Sequence, residues 1–181
     1  MGQKILLIST CKEKMQELEF VKPIENILGA EGKEFFTKSY LEVSKKDLNG
    51  ARGVIICGTS LKDNAFLDNF DKFSWIADFD KPLLGICAGM QIILKIFGGR
   101  LKNKTEIGFF VEDFKKNFLG LGGKQEVYHL HNNYMTLPRD FEDFTSSDIP
   151  QAVKHKSKPF YGVLFHPEVR QKNLILNFSN L

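Results

Sequence analysis

The segment Leu83-Leu84-Gly85-Ile86-Cys87-Ala88-Gly89-Met90-Gln91-Ile92-Ile93 constrains the fold more than any other: an apolar run breaks at Gly-x-Cys-x-Gly and resumes at helical spacing. This pattern predicts strand, sharp turn, helix. A residue gripped at such a turn is forced into a strained backbone conformation, and flanking glycines leave the room that side chains would fill. The exposed atom would be the Cys87 sulfur. The thiolate, the reactive form of cysteine, is favoured where a helix N-terminus presents free N–H groups and the positive end of its dipole. The alternative is a buried structural cysteine at a strand end.

Two earlier runs share the strand character. Lys4 to Ser9 is continuously apolar after its first residue, and Gly53 to Cys57 is apolar up to the stop at Gly58-Thr59-Ser60. Strands covered on both faces of a parallel sheet read this way. Between them, Pro23 suits a helix start, Ile24, Ile27 and Leu28 give one apolar face, and Gly29 and Gly32 can end the helix. Lys33 to Tyr40 is expected as the second strand, Ser44 to Leu48 as a helical turn, and Leu61 to Phe79 as one or two packing helices. Met90 to Phe97 continues the turn's helix to Gly98-Gly99. Beyond it, 106–114, 125–130, 141–146, 151–154 and 160–165 read as strands without intervening helices, 154–158 as a solvated hairpin, and 173–178 as a closing helix.

The expected class is therefore α/β: a three-layer sandwich with a mainly parallel, mixed central sheet, formed by residues 1–181 as a single domain. A chain of 181 residues hides roughly 70% of its unfolded surface, enough for its own core. The 17 phenylalanines suggest that aromatic rings fill it. A net charge of +3, with lysines scattered among acids, argues against nucleic acid. Three cysteines without metal-ligand spacing suit a reducing compartment. Neither the N-terminal run nor any later one is long enough for a signal peptide or membrane span, so the expected location is cytoplasmic.

In such sheets ligands sit at the carboxyl ends of strands, which places Cys11, Gly58-Thr59-Ser60 and Cys87 on one rim. A cysteine nucleophile needs a base, and the base needs an orienting group. His166 follows the apolar run Val163-Leu164-Phe165. If the backbone stays extended through Pro167, Glu168 projects to the same side as His166 and can hold the imidazole. Cys87, His166 and Glu168 then form a triad. Cys57 reads as packing and Cys11 as a rim thiol. His129 and His131, two apart, could share a metal, but no carboxylate or cysteine nearby in sequence completes a ligand set, so no metal and no cofactor is expected.

Gly85-Ile86-Cys87-Ala88-Gly89-Met90-Gln91, together with Phe165-His166-Pro167-Glu168-Val169, resembles the class I, or triad, glutamine amidotransferases, whose fold is flavodoxin-like. The resemblance implies that Cys87 attacks the carboxamide of L-glutamine, His166 moves the proton, and Glu168 orients His166. It implies an oxyanion hole from the backbone of Ala88 and of the loop at Gly58 and Thr59. It also implies contacts to glutamine from Gln91 and from the segment containing His131 and Asn132, and a structural role for Glu106-Ile107-Gly108. Where the family often has Gly-Gly-Pro, this chain has Gly58-Thr59-Ser60, so the donor is placed differently or the loop rearranges before catalysis.

Ammonia in bulk water is mostly protonated, so such a glutaminase hands it to a synthase along a shielded path. Val153 to Val163 leading into Phe165-His166-Pro167-Glu168 is most similar to the glutaminase component of two-subunit GMP synthases, which implies a separate ATP-dependent synthase as partner. Met90 and His131-Asn132-Asn133 depart from that component's usual residues, and Met90 is closer to the glutaminase of imidazole glycerol phosphate synthase. A catalytically lapsed binding or regulatory protein of the same fold stays open because of Thr59. A cysteine peptidase of related architecture is disfavoured, since Gln91 and the His-Pro-Glu spacing have no purpose there.

Overall fold

The computed structural model describes residues 4–181. Met1 to Gln3, the start of the apolar N-terminal stretch, lie outside the described residues. The chain begins with β1 (Lys4–Ser9), passes a 3-10 turn (Lys14–Gln16), α1 (Glu17–Phe20) and α2 (Lys22–Ala30), and returns along β2 (Phe35–Ser39). It continues through α3 (Lys45–Gly50), β3 (Ala51–Ile56), α4 (Ala65–Asp68), a 3-10 helix (Phe70–Ala77), β4 (Leu83–Ile86) and α5 (Ala88–Ile96). A long hairpin follows, β5 (Leu101–Phe118) and β6 (Leu121–Met135). The short strands β7 (Phe141–Asp143), β8 (Ala152–His155) and β9 (Phe160–Val163) precede α6 (Pro167–Arg170) and α7 (Lys172–Ser179).

The central sheet has seven strands in the order β2-β1-β3-β4-β9-β8-β7. Its first five strands are mutually parallel, whereas β8 and β7 add antiparallel at one edge. Alternation along each strand sorts side chains into two cores. Ile5, Leu7, Ile55 and Leu84 pack with Ile24, Leu28, Phe165 and Phe178 on one face. Leu6, Ile8, Val54 and Leu83 pack with Phe73, Ile76, Ile92 and Ile93 on the other. The three-layer α/β reading and the mainly parallel sheet are thus correct. Among the described residues no helix is long and apolar enough to cross a membrane.

Three segments differ from expectation. Residues 106–114 and 125–130 extend into β5 and β6, which form their own two-stranded sheet, tied to the segment after β7 by an isolated bridge from Phe114 to Thr145. Their two-residue connection has positive φ at both Leu119 (48°) and Gly120 (92°), as a type I′ turn requires. Leu-Gly is a weak turn signal beside Asn-Gly, and the Asn177 side chain braces it by donating to the Leu119 carbonyl at 2.9 Å. Residues 61–79 form only four residues of α-helix before turning 3-10, because Phe70, Phe73 and Ile76 recur every three residues, the 3-10 period. The hairpin 154–158 is anchored rather than solvated. His155 is buried among Phe97, Phe141 and Phe160, and Lys158 donates to the Ala77 and Phe79 carbonyls.

Candidate active site

The turn after β4 is as sharp as its glycines suggest. Cys87 has φ 50° and ψ −101°, a conformation that costs an ordinary residue about 1–3 kcal/mol. Close packing holds it there. A Cβ on Gly89 would lie 2.2 Å from the Ile56 carbonyl oxygen, and one on Gly85 would lie 2.4 Å from the Gly89 carbonyl carbon, so neither position accepts a side chain. The Cys87 N–H donates to the Val163 carbonyl at 2.8 Å, fastening the turn to the end of β9. The thiol donates to the Leu130 carbonyl at 3.6 Å.

That strand end delivers the candidate base. Three residues beyond β9, His166 occupies an extended position just ahead of α6 and is held by its N–H donating to the Tyr128 carbonyl at 2.8 Å. The backbone does not stay extended through Pro167 as expected but enters the short helix α6, with proline in its first turn. The pair forms nonetheless, with His166 Nδ1 2.7 Å from Glu168 Oε1 and both side chains buried. Burial alone would push the imidazole down; the Glu168 carboxylate and the nearby Cys87 sulfur outweigh it and raise His166 well above its ordinary value. His166 Nε2 is buried and makes no hydrogen bond, so the sulfur is close without being aligned.

The raised pKa has a measurable sign. The stability that the pair contributes is complete below the unfolded histidine's value near 6.5 and fades as pH rises through the higher folded value. An imidazole 15N titration is expected to place the His166 midpoint above that of an ordinary histidine, and Glu168→Gln should lower it. A midpoint indifferent to Glu168→Gln would refute the pairing.

Gly58 closes the group from β3. A Cβ there would stand 2.8 Å from His166 Cε1 and 3.4 Å from Cys87 Cβ, so this backbone lies against both side chains. The Thr59 side chain, absent from the usual loop, has a local purpose. Its hydroxyl donates to Asp63 Oδ2 at 2.7 Å, and the same oxygen accepts the Lys12 N–H at 2.7 Å. Asp63 Oδ1 accepts the Ala65 N–H at 3.1 Å. One buried carboxylate thereby pins the candidate oxyanion loop to the segments after β1 and before α4. Thr59 does not have positive φ, so its side chain imposes no strain.

A cleft of about 280 Å³, counting its mouth, is lined by Thr59, Cys87, Ala88, Gln91, His131 and Asn132 among others. Every sequence-predicted substrate contact borders it. Gly58, His166 and Glu168 stand behind its wall rather than in it. Gln91 is buried, its Nε2 donates to the Asn133 carbonyl at 3.3 Å, and its Oε1 has no partner. Asn132 Nδ2 donates to the Leu61 carbonyl at 3.3 Å. Leu130, Asn133 and Asp63 also belong to the site. The first two act through backbone carbonyls, which no side-chain motif reveals, and Asp63 sits in a loop whose sequence has no distinguishing pattern. Cys57 is fully buried, as expected of packing. Cys11 follows the end of β1 on the same rim, its thiol donating to the Gly58 carbonyl at 3.8 Å, and burial raises that thiol above the ordinary range.

Residues 27–175 match the family description glutamine amidotransferase class-I. The chain belongs to the class-I glutamine amidotransferases. Among curated relatives, the glutamine-hydrolysing GMP synthase subunit of Methanosphaera stadtmanae is 40% identical over 104 residues, 52% of this chain and 55% of that protein. The corresponding GMP synthase subunit of Pyrococcus abyssi is 33% identical over 148 residues, 71% of this chain and 74% of that one. The glutamine-hydrolysing GMP synthase of Staphylococcus saprophyticus is 32% identical over 76% of this chain, which accounts for only 29% of its own length. The chain spans about half the length of the first of these relatives. A crystal structure of a candidate GMP synthase subunit from Thermoplasma acidophilum superposes with TM-score 0.86 over 99% of this chain and 94% of that one, at 23% identity. That likeness establishes the amidotransferase fold.

Proposed function

We propose that this chain hydrolyses the side-chain amide of L-glutamine through a Cys87 thioester and supplies the ammonia to a separate ATP-dependent synthase, a GMP synthase being the acceptor its relatives favour. The observation that carries this reading is the meeting of Cys87 with a His166–Glu168 pair at the adjoining ends of β4 and β9. Cys87 Sγ attacks the carboxamide carbon after its proton has passed to His166, forming the imidazolium that Glu168 stabilises. The proton then passes to the leaving nitrogen, ammonia departs, and water opens the thioester with His166 as base. Glu168 keeps Nδ1 of the ring occupied, so that Nε2 works toward the sulfur. Ala88 N–H and the Gly58–Thr59 backbone face the developing oxyanion, where one donor is worth about 3 kcal/mol of barrier.

The Thr59–Asp63 bond supports a resting state in which the loop is held, so the isolated chain is expected to be a slow glutaminase. The outward side of β5 supports a partner. Ile107, Phe109 and Val111, alternate residues of one strand, are 53%, 54% and 63% exposed. Phe109 rests against Tyr128, whose carbonyl positions His166. An apolar stripe contiguous with the active site is a docking surface for the synthase. A diazoketone analogue of glutamine should alkylate Cys87 stoichiometrically, glutamine should protect it, and adding the ATP-binding component of a GMP synthase should speed labelling. Absence of labelling both with and without that component would reject the proposal.

A further inference from the structure

On their own strand His129 and His131 have no acidic neighbour on the same face, since Glu126, three residues before His129, projects to the other side and pairs with Arg170. The hairpin supplies one. Antiparallel pairing sets Glu106 directly opposite His131 and Gly108 opposite His129, so Glu106 shares their face although 25 residues separate it from His131 in sequence. His131 Nε2 lies 3.0 Å from Glu106 Oε2, His129 Nδ1 lies 3.1 Å from the same oxygen, and the two ring nitrogens are 3.4 Å apart. The three atoms form a near-equilateral triangle. Ligands about 2.0–2.1 Å from a tetrahedral ion lie about 3.3–3.4 Å from one another, so a few tenths of an ångström of spreading would admit one.

The remaining atoms of these side chains are arranged to suit a cation. His131 Nδ1 lies 3.1 Å from the Lys104 carbonyl, which can only accept, so Nδ1 bears the hydrogen and Nε2 of the neutral ring turns a lone pair inward. His129 Nε2 is buried and faces Glu112 Oε1 at 3.2 Å without an aligned hydrogen bond; a carboxylate oxygen there can only accept, so we place the hydrogen on that side, which leaves Nδ1 as an inward lone pair. Outer carbonyl and carboxylate partners of this kind orient metal-binding histidines. Two ring lone pairs and a carboxylate oxygen therefore converge, and the one hydrogen-bond donor that reaches this oxygen from outside the trio is Gln151 Nε2, at 2.8 Å, among the described residues. Lys104 Nζ holds the other oxygen, Oε1, at 3.1 Å. Both histidines are fully buried and Glu106 is nearly so, its side chain 12% exposed.

We propose that Glu106 Oε2, His129 Nδ1 and His131 Nε2 form a three-ligand site for a divalent transition cation of the zinc class, at the base of the β5–β6 hairpin. The ion clamps the hairpin where it borders the cleft. Two residues after His131 stands Asn133, whose carbonyl holds Gln91, and immediately before it stands Leu130, whose carbonyl holds the Cys87 thiol. The site stands independently of the glutaminase reading.

The experiment is a zinc(II) titration of chelator-stripped protein in competition with a chromogenic chelator, in wild type and in Cys87→Ser, which removes the competing active-site thiol. One equivalent should bind in both. Glu106→Gln and His131→Asn should each weaken binding more than about 100-fold, beyond the usual effect of an outer partner. Lys104→Met, which removes the nearest competing cation, should tighten it. In Cys87→Ser, zinc should also shift the imidazole 15N signals of both His129 and His131, a readout that requires no variant of the ligands to fold. Failure to bind, binding lost in Cys87→Ser, or signals of the two histidines unmoved by zinc would each overturn the site.

Discussion

Cys87→Ala should lower glutamine hydrolysis roughly 10⁴-fold or more, the scale seen when a covalent nucleophile is removed from a triad, while leaving the protein at least as stable as before. The lost rate follows from the missing sulfur, whereas the stability follows from the backbone, whose strain alanine neither adds to nor relieves. At φ 50° and ψ −101°, Cys87 lies outside even the left-handed helical region that asparagine and aspartate tolerate, so the fold stores strain at this residue. Alanine keeps the Cβ and hence the strain; glycine releases it. Cys87→Gly should therefore unfold at a higher temperature than Cys87→Ala, by the equivalent of about 1 kcal/mol once the greater freedom of unfolded glycine is subtracted. Thermal unfolding of the two variants, with glutaminase assays on both, checks the pair of expectations. Residual activity within tenfold of wild type in either would remove Cys87 from the mechanism, and a less stable glycine variant would remove strain from the account of the turn.

The parallel half of the sheet was legible because fully covered strands leave an unmistakable record. Ile5 to Ile8 are all buried, and a run that is apolar at every position cannot be a half-exposed strand. The hairpin was not legible to the same degree. Ile107, Phe109 and Val111 are apolar yet exposed, so hydrophobicity there marks an outer surface and misleads a rule that assigns apolar residues to the core. Glu106 and His131 pair because the register brings them together, and register depends on a Leu119-Gly120 turn with little sequence signature. The Glu106–His129–His131 cluster has no sequence signature for that reason: local spacing sees two histidines, and only strand pairing brings the carboxylate to them.

The triad was more accessible than the loop opposite it. Cys87 and His166 each follow an apolar strand, and chain topology alone puts the ends of β4 and β9 side by side. Glu168 reaches His166 from the first turn of α6 and not along an extended strand, so the expected contact forms through a different local geometry. At Thr59 the sequence signalled only a departure. The structure turns it into a contact, since the hydroxyl needs Asp63 and Asp63 needs Lys12 and Ala65 to satisfy its remaining oxygen capacity.

Gly89→Ala should destabilise the protein by about 3 kcal/mol and also impair catalysis beyond what the lost stability explains. The added methyl would sit 2.2 Å from the Ile56 carbonyl oxygen and 2.9 Å from the Ile56 carbonyl carbon. Ile56 cannot yield, because β3 is hydrogen-bonded between β1 and β4 and is paired through Ile56 to Ile8 and Gly85. The helix must move instead. Displacing α5 would part Met90, Ile92 and Ile93 from the core they fill and carry Cys87 and Gln91 with it, and a shift of about 1 Å in reacting groups can cost on the order of 100-fold in rate. Alanine's better helix propensity, worth about 1 kcal/mol, opposes this but is the smaller term. Gly50→Ala is the matched control. It makes the same chemical change at the last residue of α3, where an added Cβ meets nothing within 4 Å, so it should be neutral or stabilising by up to about 1 kcal/mol. Denaturant unfolding of both variants isolates the close approach of helix to strand from the propensity of the residue. If the two shifted stability equally, contact with Ile56 would not be what keeps position 89 glycine.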